Sequence, residues 1–301
     1  MPDLEAVKVD HSSINPEKEF YLDVPAGRTN FHVKGADNCE WGMKDRLSRI
    51  FNPKSGNALM LAFDHGQVAG PQTGLERLDV FIPSIAPYID VLMCTRGALR
   101  TCVPPMFNKA IALRYDGGHS IMSTDQNMTH SERLTDIVDA VRLNVSAMAV
   151  QVYLGTPDET LSLCNLGETV NEGIRYGIPT LGVVAVGRQM ARTPKFFSAT
   201  TRIIAEYGAQ FVKCYYCEDF EKVVAGCPVP IVIAGGKVLP TEQALNMTYR
   251  AISDGAHGVD MGRNVFENED PQAMAQALRK IIHEGATDKE AYEFYLDIKK
   301  R

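Results

Sequence analysis

Lys213 lies inside an apolar run, Phe211-Val212-Lys213-Cys214-Tyr215, where a solvated lysine is out of place. A strand of that composition is covered on both faces, and a buried ammonium costs several kcal/mol unless it is paired or neutralised. Burial favours the free amine, and an amine condenses with a ketone or aldehyde to a Schiff base. The plainer alternatives are an ammonium paired with Asp64 or Glu206, or one that snorkels to the rim. Two glycine-bearing runs suggest a ligand for this lysine. Residues 231–237 (IVIAGGK) and 258–264 (GVDMGRN) both place glycine just past an apolar stretch. Gly235, Gly236 and Gly262 would let backbone N–H groups approach an anion closely, and Arg263 or Lys237 would add charge, which together make a phosphate grip. Turn glycine without a ligand is the competing reading. Tyr153 ends the run AMAVQVY and could shuttle protons at a Schiff-base carbon; otherwise it is a core aromatic. Asp64 could hold a substrate hydroxyl or tune the lysine, and His65 beside it is a candidate substrate contact; both could equally be loop residues.

These residues sit at the ends of strand-like runs, and the runs have a rhythm. Eight short apolar segments, at 58–63, 91–95, 110–114, 147–153, 180–186, 211–216, 231–235 and 258–262, are nearly continuous in hydrophobicity. That is the pattern of strands buried on both faces of a parallel sheet. Helical periods fall between them, at 131–143, 160–176, 194–207, 241–254 and 271–283, and a short amphipathic helix is expected at 41–51. Glycine follows several helix ends, at Gly177, Gly208 and Gly255. Eight strand–helix units over roughly 240 residues fit an α/β TIM (β/α)8 barrel. A doubly wound sheet would carry GxGxxG after its first strand, but that strand ends in Phe63-Asp64-His65-Gly66. The expected organisation is an N-terminal extension at 1–40, an arm for barrel packing or oligomer contact, and a catalytic barrel at 41–301. In such a barrel the C-terminal strand ends form the active face, which collects Asp64, His65, Arg96, Arg114, Tyr153, Lys213, Tyr215 and the two glycine loops from distant chain positions.

Composition narrows the function class. The 301 residues are 45% hydrophobic and carry a formal net charge of −6, which disfavours nucleic-acid and anionic-membrane partners. No apolar run approaches the ~20 residues of a transmembrane helix, and the N-terminal residues lack the basic and apolar regions of a secretory signal, so a cytoplasmic protein is expected. The seven cysteines do not form a disulfide framework. Cys214 and Cys217 make a CxxC without the second pair or the helix-opening position that a metal or redox motif needs, so they read as structural. No HExxH or recurrent His/Cys spacing supports a metal, and no GxSxG supports a serine nucleophile.

With these residues in place the chain resembles the class I aldolases of the DeoC and archaeal fructose-bisphosphate aldolase superfamily, and within it the LsrF-like thiolases of autoinducer-2 degradation. The likeness is carried by WGM (41–43), RLSRIF (46–51), LMLAFDHG (59–66), VLMCTRG (91–97), AVQVYLG (149–155), GCPVPIVIAGGK (226–237) and GVDMGRNVF (258–266). The resemblance implies that Lys213 is the Schiff-base lysine, Tyr153 the acid/base tyrosine and Asp64 the aspartate of FDHG, with Gly235, Gly236, Gly262 and Arg263 on the phosphate loops. It implies a 3-hydroxy-5-phosphonooxypentane-2,4-dione thiolase: a phosphorylated ketone substrate, coenzyme A as co-substrate with no bound cofactor or metal, acetyl-CoA and dihydroxyacetone phosphate as products, and a cytoplasmic homodecamer or other ring. Residues 115–129 and 187–194, in loops after the third and fifth strands, depart from the LsrF-like pattern, and barrel specificity resides in such loops. A class I retro-aldolase acting on another phosphorylated ketose is therefore the alternative. A barrel that senses a phosphorylated sugar without turning it over is a second one.

Overall fold

The computed structural model describes residues 23–25, 31–124, 128–186 and 192–300. Phe31–Arg301 forms one compact unit. Eight parallel strands close into a barrel: β1 (Ala58–Ala62), β2 (Val91–Cys94), β3 (Ala110–Arg114), β4 (Ala147–Val152), β5 (Thr180–Val184), β6 (Phe211–Tyr215), β7 (Ile231–Ala234) and β8 (Gly258–Met261). Each pairs with its neighbours in sequence, and β8 returns to β1 with Ala58 opposite Gly258 and Met60 opposite Asp260. Gly258 is required there: at φ +128° a Cβ would come within 2.0 Å of the Ala58 carbonyl oxygen. Except for β3, the strands end one or two residues before the apolar runs do, so Tyr153, Gly235 and Gly262 stand just beyond the ladder, on the loops.

Side chains alternate between two cores because strand period is two. Leu59, Leu61, Val212, Cys214, Val259 and Met261 point outward into the helical layer. Ala58, Met60, Ala62, Met93, Ala112, Ala149, Val183 and Phe211 fill the interior. The helix Trp41–Ile50 places Met43, Leu47 and Ile50 on one buried stripe and closes the N-terminal end, with Phe51 edge-on to Phe211 at 5.5 Å between ring centres. Val33 and Ala36 join the same core, so the barrel unit takes in residues expected in the arm; residues 1–22 and 26–30 of that arm lie outside the described residues.

Outer helices appear where the period predicts them, at Glu159–Tyr176, Pro194–Glu206, Thr241–Ser253 and Pro271–Glu284. The helix expected at 131–143 is shorter, Ile137–Arg142. Asp136 starts it by accepting from the Val138 and Asp139 amides, while Glu132–Arg133 pairs antiparallel with Asp116–Gly117 and Ser131 donates to Asp116 Oδ2 at 3.1 Å. Among the described residues no helix is long and apolar enough to cross a membrane. Cys214 is buried in the outer core and no cysteine is disulfide-bonded among the described residues.

Candidate active site

Strand parity puts Lys213 inside the barrel with Phe211, because Val212 and Cys214 take the outward positions. Side chains of alternate strands share a layer in such barrels. Lys213 from β6 accordingly meets residues from β8 and β2. Its Nζ lies 2.8 Å from Asp260 Oδ2 and 3.9 Å from Met93 Sδ. The Lys213 side chain is 12% exposed and that of Asp260 0%. The ion pair is therefore with Asp260, not with Asp64 or Glu206; Glu206 is on an outer helix, paired with Arg202. The contact is close in distance but not an aligned hydrogen bond, and neither Asp260 oxygen has another hydrogen-bond partner among the described residues. Burial pushes the Asp260 carboxyl above its ordinary value; Lys213 opposes this, and the Asp64 charge reinforces it.

Lys213 borders a cavity of about 380 Å³ that opens at the C-terminal strand ends, walled also by Asp64, His65, Arg114, Tyr153 and Tyr215. Arg114, buried at the end of β3, sits between two carboxylates: Nε is 3.6 Å from Asp64 Oδ2 and 3.3 Å from Asp116 Oδ1. Burial acts to raise the Asp64 carboxyl, but Arg114, His65 and Lys213 outweigh it and hold Asp64 below its ordinary value. Asp116 goes the other way: burial raises it, and Arg114 only partly offsets the shift. Burial lowers His65 against the pull of Asp64, so its imidazole is neutral at neutral pH, packed edge-on to Phe266. The Tyr153 hydroxyl donates to Gln151 Oε1 at 2.5 Å, and burial pushes the phenol well above its ordinary range. Such a phenol is a proton donor at neutral pH and a costly anion.

The two glycine loops meet at the rim. Gly236 has φ +68°, and its carbonyl accepts from Arg263 Nη2 at 2.6 Å. Asn264, buried, ties the loops further: Nδ2 donates to Gly235 O at 2.8 Å and to Lys237 O at 3.2 Å, and Oδ1 accepts from the Leu239 amide at 2.8 Å. A side chain at Gly262 would strike Ala62 O and His65 Cε1, both at 2.7 Å from its Cβ. Gly236 adjoins Tyr215, whose ring carries the Arg192 guanidinium at 4.2 Å. Two guanidinium groups thus border the loop that the glycines shape.

All of Asp64, His65, Tyr153 and Lys213 line one cavity, and Gly235, Gly236, Gly262 and Arg263 form one loop pair that touches it through Tyr215 and His65. Asp260, Asp116, Gln151 and Arg192 were not singled out by sequence. For Asp260 a signal existed: GVDMG puts an aspartate between apolar neighbours at an inward position of an even-numbered strand, the register of Lys213. No cluster of three metal-ligating side chains occurs among the described residues.

The sequence matches the DeoC/LacD family aldolase model over residues 58–268. An uncharacterised aldolase of Pasteurella multocida is 50% identical over 291 residues, 96% of this chain and 99% of that protein. The 3-hydroxy-5-phosphonooxypentane-2,4-dione thiolases of Photorhabdus laumondii and Salmonella typhimurium are 48% and 49% identical, each over 96% of this chain and 99% of the relative. Among solved structures, a Schiff-base-forming fructose-1,6-bisphosphate aldolase aligns with a TM-score of 0.72 at 22% identity, over 80% of this chain and all of that one. A fructose-bisphosphate aldolase of Slackia heliotrinireducens aligns with a TM-score of 0.75 at 15% identity, over 91% of this chain and 96% of that one, and both share the barrel fold.

Proposed function

The chain belongs to the DeoC/LacD aldolase family, and from that premise we propose that it is a Schiff-base acyltransferase, a 3-hydroxy-5-phosphonooxypentane-2,4-dione thiolase, with Lys213 as nucleophile. The observation that carries this reading is a lysine held in the barrel interior at the wall of a cavity that also takes in Tyr153, Asp64 and Arg114. The substrate phosphate docks on Gly235, Gly236, Gly262 and Arg263, with Arg192 at the edge; His65 supports the Gly262 loop as a neutral contact. Anchoring the phosphate holds the adjacent C4 ketone at Lys213 as an effectively intramolecular partner.

Condensation of the amine with C4 gives an iminium, which is an electron sink for C3. The thiolate of coenzyme A, the co-substrate, adds to the C2 carbonyl; the C2–C3 bond then breaks, and its electron pair forms the C3–C4 enamine. Acetyl-CoA leaves, C3 takes up a proton, and hydrolysis returns the lysine and dihydroxyacetone phosphate. Arg114 is the fixed cation of the cavity: burial would lower its guanidinium, but Asp116 and Asp64 outweigh this and keep it charged for the developing oxyanion. Tyr153 is the proton donor to C3, and Asp64, held ionised, orients the C3 hydroxyl.

The test combines borohydride trapping, with the adduct mapped by peptide mass spectrometry, and product analysis with and without coenzyme A. An adduct on Lys213 and acetyl-CoA formation are expected. An aldehyde product independent of coenzyme A would instead mark a retro-aldolase, and absence of turnover a phosphosugar sensor. A cytoplasmic enzyme that self-associates accompanies the reading, and the exposed apolar side chains of Trp41, Ile174 and Tyr176 support the self-association.

A further inference from the structure

We infer that Asp260 is the proton carrier of Schiff-base formation, taking one proton from the Lys213 ammonium and returning it to the hydroxyl that leaves the carbinolamine. The inference rests on the Schiff-base reading above. Its geometric basis is a carboxylate 2.8 Å from the reacting nitrogen, with no exposed side-chain surface and neither oxygen otherwise hydrogen-bonded among the described residues. A carboxylate kept only for structure would be expected to satisfy its lone pairs. Asp260 leaves them directed at one group.

Proton bookkeeping makes this arrangement sufficient. An ammonium and a ketone become an iminium and one water, so the two protons lost by nitrogen are the two that leave as water. The Lys213 ammonium passes the first to Asp260. The free amine adds to the carbonyl carbon, and its second proton moves to the carbonyl oxygen, giving a neutral carbinolamine beside a neutral carboxylic acid. Asp260 then protonates the hydroxyl, the C–O bond breaks, and the nitrogen lone pair forms the iminium. The step begins as ammonium and carboxylate and ends as iminium and carboxylate. No net charge enters or leaves a region where an unpaired charge is costly.

The surroundings favour Asp260 over other carriers. The charged groups acting on it are Lys213 from β6, Asp64 just past β1 and Arg114 from β3. Asp64 is engaged by Arg114, and the Tyr153 hydroxyl is engaged by Gln151. Met93, the β2 neighbour of Nζ, is neutral. Burial and the nearby Asp64 charge both bring the neutral acid within reach.

The experiment is rapid-quench borohydride trapping of the full chain with dihydroxyacetone phosphate from pH 6 to 9, comparing wild type with Asp260→Asn. Wild type should form the Lys213 adduct at a nearly constant rate. Asp260→Asn should form it roughly 10²–10⁴-fold more slowly at pH 6 to 7, the usual worth of a positioned acid–base group, and recover as rising pH lets solvent take the proton. Asp260→Ala, which leaves room for a small acid, should be accelerated by added formate. Asp260→Asn trapping at the wild-type rate and pH profile would overturn the assignment. So would a loss equal at every pH without formate rescue, the mark of a purely structural carboxylate. Absence of a wild-type adduct would instead strike at the Schiff-base reading itself.

Discussion

Replacing Lys213 with methionine separates the chemistry of the interior from its packing. Methionine matches the lysine stem in length and bulk, so the layer shared with Met93 stays filled and no cavity forms. Only the charge is lost, and Asp260 is left as a fully buried carboxylate with no partner. Were it to stay ionised, the cost would be about 3–5 kcal/mol, the usual penalty for breaking one side of a buried pair. It can instead take up a proton, and burial already raises it with Lys213 present. Removing Lys213 removes the largest influences opposing that rise and leaves only the weaker pull of Arg114. An acid raised in the folded state binds more protons there than in the unfolded chain, so stability falls as pH climbs from the unfolded value towards the folded one. The slope is at most about 1.4 kcal/mol per pH unit, or about 2.7 kcal/mol between pH 5 and 7. Denaturant unfolding at pH 5, 6, 7 and 8 should therefore show Lys213→Met close to wild type at the acid end and progressively weaker above it, with no borohydride adduct at any pH. A stability difference constant across this range would refute the coupling of the two residues.

Three further substitutions test other parts of the site. Arg263→Ala removes the guanidinium that bridges to Gly236 O, and the loss of one charge-assisted contact, about 1.5–3 kcal/mol, should lower kcat/KM for the phosphorylated dione roughly 10–100-fold while leaving an unphosphorylated analogue almost unaffected. Tyr153→Phe keeps the ring and deletes the hydroxyl that donates to Gln151; adduct formation should persist while turnover falls roughly 10²–10³-fold, measured by steady-state kinetics beside trapping. Gly262→Ala forces a Cβ to within 2.7 Å of Ala62 O and His65 Cε1, so it should destabilise the protein by about 1–3 kcal/mol in urea and raise KM for the phosphorylated substrate.

The barrel is legible because its strands are buried on both faces and therefore read as unbroken apolar runs; the positions of those runs mark all eight. Their last residues are not legible, since Tyr153, Gly235 and Gly262 are as apolar or as small as the strand interior, and only the hydrogen-bond ladder marks where it stops. The segment 131–143 departs from its helical pattern for another reason. Its period is helical, but Ser131, Glu132 and Arg133 are claimed by contacts to Asp116 and Gly117, fifteen or so positions away in sequence, and tertiary pairing overrides local preference. The helix Asp288–Lys299 carried an unused signal, Thr287 and Glu290, which form a reciprocal capping box.

The site was legible residue by residue but not as pairs. Lys213 stood out because an ammonium in an apolar strand must be compensated, and its expected partners were the acids nearest at hand in the chain or at the strand ends. Closure of the barrel decides otherwise. Side chains of β6 and β8 share a layer while those of β7 do not, so the compensating carboxylate comes from two strands away, 47 positions along the chain. The neighbouring layer, at the ends of β1 and β3, adds Arg114 with Asp64 and Asp116, so two cations, Lys213 and Arg114, meet three carboxylates, Asp64, Asp116 and Asp260. Fully ionised, that set would bear a surplus negative charge where solvation is poor. Burial relieves the surplus by raising Asp116 and Asp260, the two carboxyls not dominated by their cations, while Asp64 is held ionised. Within such a set Asp260 can take a proton from Lys213 during a condensation and return it, with no net change of charge. The catalytic competence proposed for Lys213 is thus a property of the layered charge set, and no single strand of the sequence contains it.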